Sequence, residues 1–326
     1  MSFDFDAAVQ APFRMQPGLR RLAAGARQLT PLAAGSRHQR EKLAVLSAWP
    51  ARALACQPGF DPSPALHALF THGASEHPEH FQWDGVRAAA PGLGVAVAGE
   101  RVDTLGGGSF GLGDELSRCL TALPAPWRLA GLACLAFAED FAAIDGHDAT
   151  IPWIAACLPS HWAPQAKVGR HFTEVHQPVA DNTLIQRASE GLLRMVCGPD
   201  RWERFVWTVT RHPRLNAHPD SVDDSPWQHD AFDDARSPRA WWRTERQTFV
   251  PVGDGRLAMF TIAVNTEPLA QAIDTPQRAR RLHDAVASMS EAVQAYRSLK
   301  DVREPLLRWL DARAGTASAD APAPGP

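Results

Sequence analysis

Hydrophobic and polar residues alternate with a period of two in the second half of the chain, a pattern typical of half-buried strands. Residues 203–210 (ERFVWTVT) are the clearest example. Segments 242–250 and 256–264 flank a Gly-Asp-Gly sequence at 253–255, where glycine permits the positive φ of a tight hairpin turn. The short apolar run 151–158 suits a buried strand. Together these segments predict an antiparallel sheet.

Helical patterns lie on both sides of these strands. Residues 37–48 are good helix formers and stop before Pro50, while 114–123 and the apolar 128–144 are further helix candidates. Near the end of the chain, 276–299 carries one apolar stripe at helical spacing, and a shorter helix is predicted over 305–311.

The order of these elements predicts an α+β fold. We expect a mainly helical N-terminal region over 1–150, packed on a core of antiparallel sheet and closing helices over 151–311. Residues 312–326 are small, Pro-rich and Ala-rich, which predicts a disordered tail.

Composition narrows the class of protein. The 326 residues are 45% hydrophobic and 21% charged, which allows a sizeable core. Lys and Arg number 33 against 36 Asp and Glu, so the net charge of −3 argues against a nucleic-acid surface. The five Cys form no C-x-x-C pair, which argues against a disulfide framework, a zinc ribbon or an iron–sulfur cluster in this chain.

Cellular location is predicted from what the sequence lacks. Residues 1–6 are acidic and do not have the layout of a signal peptide. The longest apolar run, 129–138, is far too short to span a membrane. We therefore expect a cytoplasmic protein with no membrane partner.

Three motifs have weak functional signals. Residues 106–111 fit G-x-G-x-x-G, but no strand–loop–helix–strand unit surrounds them, so a flexible connector is favoured over a dinucleotide site. His72, His77 and His80 have no metal-ligand spacing, and the acidic segment 220–234 is irregular, so both are interpreted as loops.

A stronger signal is the concentration of large flat side chains in the middle of the chain. Seven of the eleven Trp lie between residues 153 and 242, whereas the chain has a single Tyr. Such residues are typical of a pocket for a large aromatic cofactor, and equally of an ordinary core. His176, held next to Pro178, is a candidate haem-iron ligand or a structural histidine, and His161 and His171 lie in the same region.

Charged residues on the predicted strand 242–250 are the second candidate feature. Alternation places Arg243, Glu245 and Gln247 on one face and Arg246 on the other. Burying such a row is costly unless its members pair with each other or with a charged ligand. Arg binds carboxylates such as haem propionates in a bidentate way, so a ligand site and a structural salt-bridge ladder are both open.

These segments resemble the DUF3445 family, whose characterised members are haem-dependent oxidative N-demethylases (dimethylamine monooxygenase-like alpha subunits). The likeness follows the chain in order through the following segments: 15–19 (MQPGL), 139–140 (ED), 159–162 (PSHW), 167–170 (KVGR), 176–179 (HQPV), 204–209 (RFVWTV), 243–248 (RTERQT) and 257–262 (LAMFTI). An isolated motif does not extend over so much of a chain.

The resemblance implies a PAS-like domain that binds haem b and works as an oxygenase. Electrons would come from NADPH through separate reductase subunits that carry flavin and an iron–sulfur cluster. His176 is then the expected axial iron ligand, and Glu245 is expected to anchor an amine or to handle protons during oxygen activation. Arg243 and Arg246 are expected to bind the haem propionates. Trp162 and Trp207 are expected to form walls of the pocket, and Lys167 of the family motif is a further expected cofactor contact.

The expected activity is oxidative N-demethylation of a small amine with O2, which releases formaldehyde. The chain departs from the family pattern at Val206, Ala180 and Ala138, where Asn, Pro and Gln are usual. Loss of the Asn removes a hydrogen-bonding group, so the substrate can differ. A non-catalytic haem-binding PAS-like sensor or accessory subunit is the alternative, and a structural partner without haem is a third possibility.

Overall fold

The computed structural model describes residues 3–106, 111–223, 225–234, 236–253 and 255–315. Its α-helices are α1 (Phe5–Ala8), α2 (Arg37–Ala48), α3 (Pro50–Ala53), α4 (Ser63–Glu76), α5 (Glu115–Ala122), α6 (Arg128–Ala136), α7 (Phe172–Val175), α8 (Thr183–Val196), α9 (Leu269–Ala272), α10 (Pro276–Ala287), α11 (Glu291–Tyr296) and α12 (Arg303–Gly315). Its strands are β1 (Arg20–Arg21), β2 (Leu54–Cys56), β3 (Gln82–Trp83), β4 (Arg87–Ala90), β5 (Val95–Ala98), β6 (Arg101–Thr104), β7 (Glu139–Asp145), β8 (Thr150–Ala155), β9 (Trp202–Thr210), β10 (Trp241–Val252) and β11 (Leu257–Pro268).

The strands form two antiparallel sheets. The larger has seven strands in the order β1-β9-β10-β11-β7-β8-β2, and the smaller has four in the order β3-β4-β5-β6. The long hairpin β10–β11 is the centre of the large sheet, with β9 on one side and β7 on the other. The predicted α+β class is confirmed, and the PAS-like character of the core stays a prediction.

The two faces of the large sheet are distinguished by the pleat of β10. We call the face that carries Arg243, Glu245 and Gln247 the odd face, and the face that carries Trp242 and Arg246 the even face. The predicted alternation is confirmed, because Gln247 Nε2 lies 2.5 Å from Glu245 Oε2 whereas Arg246 bonds elsewhere.

Helices cover the even face in two clusters. Over β7, β8 and β11 the main core brings the buried Phe141, Trp153 and Met259 together with residues of α4 and α6. Over β9 and β10 a second cluster joins Trp207 and Trp242 to α1, α10 and α12. Apolar burial of this kind stabilises the sheet on its helices.

The odd face is covered around its edges by shorter elements. The helices α7 and α8 contribute Phe172, Leu193 and Val196 to a small cluster at one end of the hairpin. Across β7 and β8, Trp162 and Val168 pack on another small cluster, formed by residues such as Ala142 and Ile154. The segment that contains Trp162 and Val168 is therefore a wall beside the centre of this face.

The N-terminal part contains more strand than its sequence pattern predicts. The helix expected over 128–144 ends at Ala136, and 139–145 is strand β7 in the large sheet. β2 also joins that sheet, and 82–104 forms the small sheet. The expectation of a mainly helical front is thus corrected in these segments, while the domain division at residue 150 stays a prediction.

The C-terminal helices follow the predicted positions with one break. The helix expected over 276–299 is divided into α10 and α11, because Ser290 begins a new helix with its hydroxyl accepting the amide hydrogen of Val293. Residues 312–315 belong to α12, and the rest of the predicted tail lies outside the described residues. The Gly-rich connector is likewise only partly described, since 107–110 lie outside these ranges.

No helix in the described ranges is long and apolar enough to cross a membrane. All five cysteines have free thiols, of which only Cys56 is exposed.

Candidate functional site

The centre of the odd face combines apolar and charged side chains from neighbouring strands. Arg204 of β9 lies opposite Gln247, and Val206 lies opposite Glu245. On the other side of β10, Glu245 lies opposite the buried Val264 of β11. Directly opposed residues project on the same face. Arg204, Glu245 and Gln247 therefore form a charged strip, and Val206 and Val264 form an apolar floor beside it.

His176 has one ring nitrogen engaged and the other available. It follows α7, where its Nδ1 lies 2.8 Å from the carbonyl oxygen of Phe172. A carbonyl only accepts, so Nδ1 carries the hydrogen and Nε2 presents a lone pair. Burial, together with the charges of Arg204 and Lys167, lowers the pKa of His176 to about 4. The imidazole is therefore neutral near pH 7, which is the form that ligates metals.

Two other predicted residues lie on the same side of the sheet. Lys167 donates from Nζ to the carbonyl oxygen of Val175 at 2.8 Å, which ties its segment to α7 immediately before His176. Burial lowers the pKa of Lys167. Trp162 packs on the cluster across β7 and β8. The structure thus brings His176 and Lys167 together and places Trp162 in the adjoining wall.

Arg204 is a cation with no hydrogen-bond or ion-pair partner in the described part of the chain. Its Nε is completely buried and makes no hydrogen bond. Burial lowers the pKa of Arg204, and the nearby carboxylate of Glu245 opposes that shift. Arg204 as a residue is half-buried, and a buried guanidinium N–H without an acceptor is costly unless a ligand supplies one. In the sequence, Arg204 stands out only as part of the family motif 204–209.

Tyr296 and Arg297, at the end of α11, approach this charged strip from the side of β9. Burial raises the pKa of the Tyr296 phenol, with Arg297, Glu245 and Arg204 acting on it electrostatically. Arg297 donates to the carbonyl oxygen of Trp207 on the open edge of β9. The only tyrosine of the chain therefore borders the site, a position that its sequence context did not indicate.

Arg243 is engaged with the backbone. Its guanidinium is 1% exposed, and burial lowers its pKa to about 10. Its hydrogen bonds join two loops, through Ser160 Oγ at 2.8 Å and the carbonyl oxygens of Leu158 at 3.4 Å, Pro159 at 3.2 Å, Arg214 at 2.9 Å and Leu215 at 2.9 Å. These contacts favour a structural role, and its predicted binding to a propionate gains no support from them.

Arg246 and Trp207 lie on the even face, away from His176. Arg246 pairs with Glu203, from Nε and Nη2 to Oε2 at 3.0 Å, and donates to the carbonyl oxygen of Arg27 at 2.9 Å. Trp207 stacks on Trp242 with ring centroids 5.0 Å apart. The structure does not bring these two predicted residues into one pocket with His176, because side chains on opposite faces of a sheet point apart.

The motif residues Glu139 and Asp140 are fully buried beside the site. Asp140 pairs with Lys42 of α2, with Nζ and Oδ1 3.0 Å apart, and accepts the amide hydrogen of Leu158 at 2.6 Å. Burial raises the pKa of the Glu139 carboxyl. Asp140 thus holds the backbone of Leu158 through its amide, while Arg243 holds the same segment through the carbonyl oxygens of Leu158 and Pro159.

The other histidines differ from His176 in their hydrogen bonds. His171 is exposed, and its Nδ1 accepts the amide hydrogen of Thr173 at 3.3 Å. The ring of His161 lies 5.5 Å from the ring of His212. Both ring nitrogens of His212 are buried without a hydrogen bond, and burial lowers its pKa to about 4. His212 is a candidate that sequence analysis missed.

The histidines near residue 76 serve the fold. Glu76 accepts the backbone amides of Gln28 and Leu29 and lies 3.0 Å from His72 Nε2. His77 Nε2 bonds to the carbonyl oxygen of Leu29 at 2.8 Å. Within the described ranges, no group of three or more His, Cys, Asp or Glu is arranged to hold a metal ion.

Comparison with known families identifies the family of this chain. The model of the family "Haem-dependent oxidative N-demethylase, alpha subunit-like" matches residues 38–307, which is most of the chain. The chain belongs to this family. A search of curated proteins finds no match. The name of the haem-dependent oxidative N-demethylase alpha subunit-like family implies haem, oxidoreductase chemistry and a place in a multi-subunit assembly.

The residues of the odd face fit a haem. A neutral imidazole with a free Nε2, a half-buried guanidinium whose Nε lacks an acceptor and an apolar floor are groups that suit iron, a propionate and a porphyrin ring. In a haem-dependent oxidative N-demethylase alpha subunit-like chain, this face is the candidate cofactor site.

Proposed function

We propose that the odd face binds haem b and that His176 would hold the iron through Nε2. The observation that carries this proposal is the hydrogen bond from His176 Nδ1 to the carbonyl oxygen of Phe172, in an imidazole kept neutral by burial. Such a bond fixes both the tautomer and the ring orientation of a metal-ligating histidine. His171 instead accepts a backbone amide hydrogen with Nδ1, and neither ring nitrogen of His212 makes a hydrogen bond.

Arg204 is the proposed partner of a haem propionate. It replaces Arg243 and Arg246 in that role, since Arg243 already bonds to backbone oxygens and Arg246 lies on the even face. Trp162 forms a wall of the pocket, and Lys167 holds that wall to α7. The five strands β7–β11, with α7 and α8 between β8 and β9, form the core that we propose to be PAS-like.

The proposed reaction is oxidative N-demethylation of a small amine. Haem, when bound, supplies the oxygen chemistry. The overall change converts an N-methylamine, O2, NADPH and a proton into the demethylated amine, formaldehyde, NADP+ and water. Separate reductase subunits with flavin and an iron–sulfur cluster would deliver the two electrons, which agrees with the alpha-subunit description of the family.

Glu245 is the proposed anchor for the substrate ammonium. Its carboxylate lies in the strip beside Arg204, and Gln247 Nε2 fixes its orientation through Oε2 at 2.5 Å. Charge-assisted hydrogen bonds to a carboxylate hold an amine nitrogen firmly and direct its methyl groups away from the charge. Val206, next to Arg204 and opposite Glu245, adds an apolar contact where the family pattern has Asn.

The deciding experiment is the visible spectrum of the protein produced with ample haem, oxidised and then reduced under carbon monoxide. We expect one haem per chain and a Soret band that shifts with carbon monoxide. His176→Ala should lose haem or change the band, whereas the exposed His171→Ala should behave as the wild type. An unchanged spectrum in His176→Ala would remove His176 as the ligand, and the same variant of His212 then becomes the next to examine.

Turnover separates an enzyme from a sensor. With a supporting reductase and NADPH, we expect formaldehyde in proportion to NADPH consumed, and Glu245→Gln should raise the KM for the amine while haem is retained. Gas binding without formaldehyde from any small N-methylamine would favour the non-catalytic haem sensor.

A further inference from the structure

The even face contains a small cavity whose polar lining has no role in the proposed reaction. It has a volume of about 180 Å³ and lies between β10–β11 and the N-terminal segment, with Phe3 and Phe5 on one side. Two cross-strand pairs form its floor, Trp242 with Glu267 and Thr244 with Asn265. A cavity of about 150 Å³ holds benzene, so there is room for a small organic molecule.

The floor presents oxygen atoms that lack partners. In the part of the chain that the structure describes, the side chains of Glu267, Asn265 and Thr244 make no hydrogen bond, and Glu267 has no ion-pair partner within 4.0 Å. Burial raises the pKa of the Glu267 carboxyl, while Arg278 acts in the opposite direction. The carboxylate therefore lacks the close counter-charge that would favour its ionised form.

The two arginines that line the cavity are already neutralised. Arg246 pairs with Glu203 at 3.0 Å, and Arg278 pairs with Asp274 at 3.0 Å. The Arg278 guanidinium carbon also lies 5.2 Å from the centre of the Phe5 ring, which is the distance of a cation–π contact. The unmatched group in the lining is thus an acid beside aromatic rings.

We propose that this cavity binds a small protonated primary or secondary amine. The ammonium donates its N–H hydrogens to Glu267 and to the oxygens of Asn265 and Thr244, and its alkyl part lies against Trp242 and Phe3. Charge-assisted hydrogen bonds and contact with aromatic faces are the two interactions that an alkylammonium needs. This site is separate from the odd face, because its floor residues point to the other side of the sheet.

Isobutylammonium and isobutanol are suitable probes, since they have similar size but differ in charge. With ¹⁵N-labelled protein, we expect isobutylammonium to shift the indole resonance of Trp242 in a saturable way. Isobutanol should bind at least about tenfold more weakly, because it lacks the charge-assisted bond. Glu267→Gln should weaken isobutylammonium binding by a similar factor. Glu190→Gln is the control, because it removes an exposed carboxylate of α8 outside the lining, and it should change binding by less than about twofold.

Equal binding of the alcohol, undiminished binding to Glu267→Gln, or no saturable shift in the wild type would each overturn the proposal. If Glu267→Gln does not fold, Thr244→Leu, which fills the floor with a larger side chain, must abolish the shift instead. The haem-loaded protein distinguishes the two faces. An amine on the even face shifts Trp242 without moving the Soret band, whereas an amine beside haem moves the band.

Discussion

Arg246 and Arg204 lie on adjacent strands of one sheet, yet they have opposite surroundings. On the even face, Arg246 bonds to Glu203 and to the carbonyl oxygen of Arg27. On the odd face, Arg204 has the carboxylate of Glu245 nearby but forms no ion pair with it, and its buried Nε has no acceptor. The difference indicates that the fold satisfies Arg246 and leaves Arg204 Nε unsatisfied, which is the basis for proposing Arg204 as a ligand contact.

The largest expected effect comes from removing an arginine that the fold needs. Arg243→Met leaves the carbonyl oxygens of two loops without their donor, so we expect a loss of about 3–5 kcal/mol in the free energy of unfolding. Urea unfolding of the haem-free protein measures it. A loss below about 1 kcal/mol would mean that these hydrogen bonds do not stabilise the fold. Arg243 would then again be a candidate partner of a propionate.

The pH dependence of unfolding tests how far the unpartnered His212 lowers the stability of the folded protein. Because burial lowers its pKa to about 4, the unfolded chain takes up a proton first as pH falls below about 6.5. The free energy of unfolding should therefore fall between about pH 6.5 and 4, by at most about 3 kcal/mol from this residue, and level off below. His212→Leu should flatten that decline in pH-dependent unfolding of the haem-free protein. His171→Leu, at an exposed position, should leave it as in the wild type.

Arg204→Met sharpens the contrast with Arg243→Met. Its stability should stay within about 1 kcal/mol of the wild type, since no hydrogen bond is lost. Haem affinity should fall about 10- to 100-fold, which corresponds to the loss of one charge-assisted contact to a propionate. Competition for hemin with an apo-globin provides the measurement. Normal haem affinity in a stable Arg204→Met protein would remove Arg204 as the anchor.

The smallest effect is expected on the even face. Glu203→Gln weakens the pairs with Arg246 and Arg20, and we expect a loss of about 1–2 kcal/mol in the free energy of unfolding. The Soret band of the haem-loaded protein should not change, because Glu203 points away from the odd face. A displaced band would show that the two faces are coupled through β9.

The long strands were predictable because their local pattern and their tertiary pairing agree. The alternation over 242–250 predicted the separation of Glu245 from Arg246, which the structure confirms. Strand β7 was missed because EDFAAID is rich in helix-compatible residues, and its pairing with β11 overrides that local preference. The break before α11 had a local signal in Ser290, whose position suits a helix N-cap.

The residue types of the candidate site were predictable from the sequence, but the hydrogen-bond partners of those residues were not. His176 was selected for its rigid surroundings, but the bond that fixes its tautomer depends on the turn of α7. The acceptors of Arg243 come from 158–160 and 214–215, which are distant in sequence, so no local pattern indicates them. Arg204 was overlooked because an arginine without a partner is recognised only when its surroundings are known.

The order of strands in the large sheet also bears on how the protein is made. Strand β7 is synthesised early, but its neighbour β11 is encoded more than a hundred residues later, and β1 must wait for β9. While the nascent chain is still emerging from the ribosome, His176 exists before Arg204 and Glu245, and the floor between them does not exist at all. The face proposed to hold haem is therefore complete only after β11 has been synthesised, so the order of strands makes the proposed binding of the cofactor a late event.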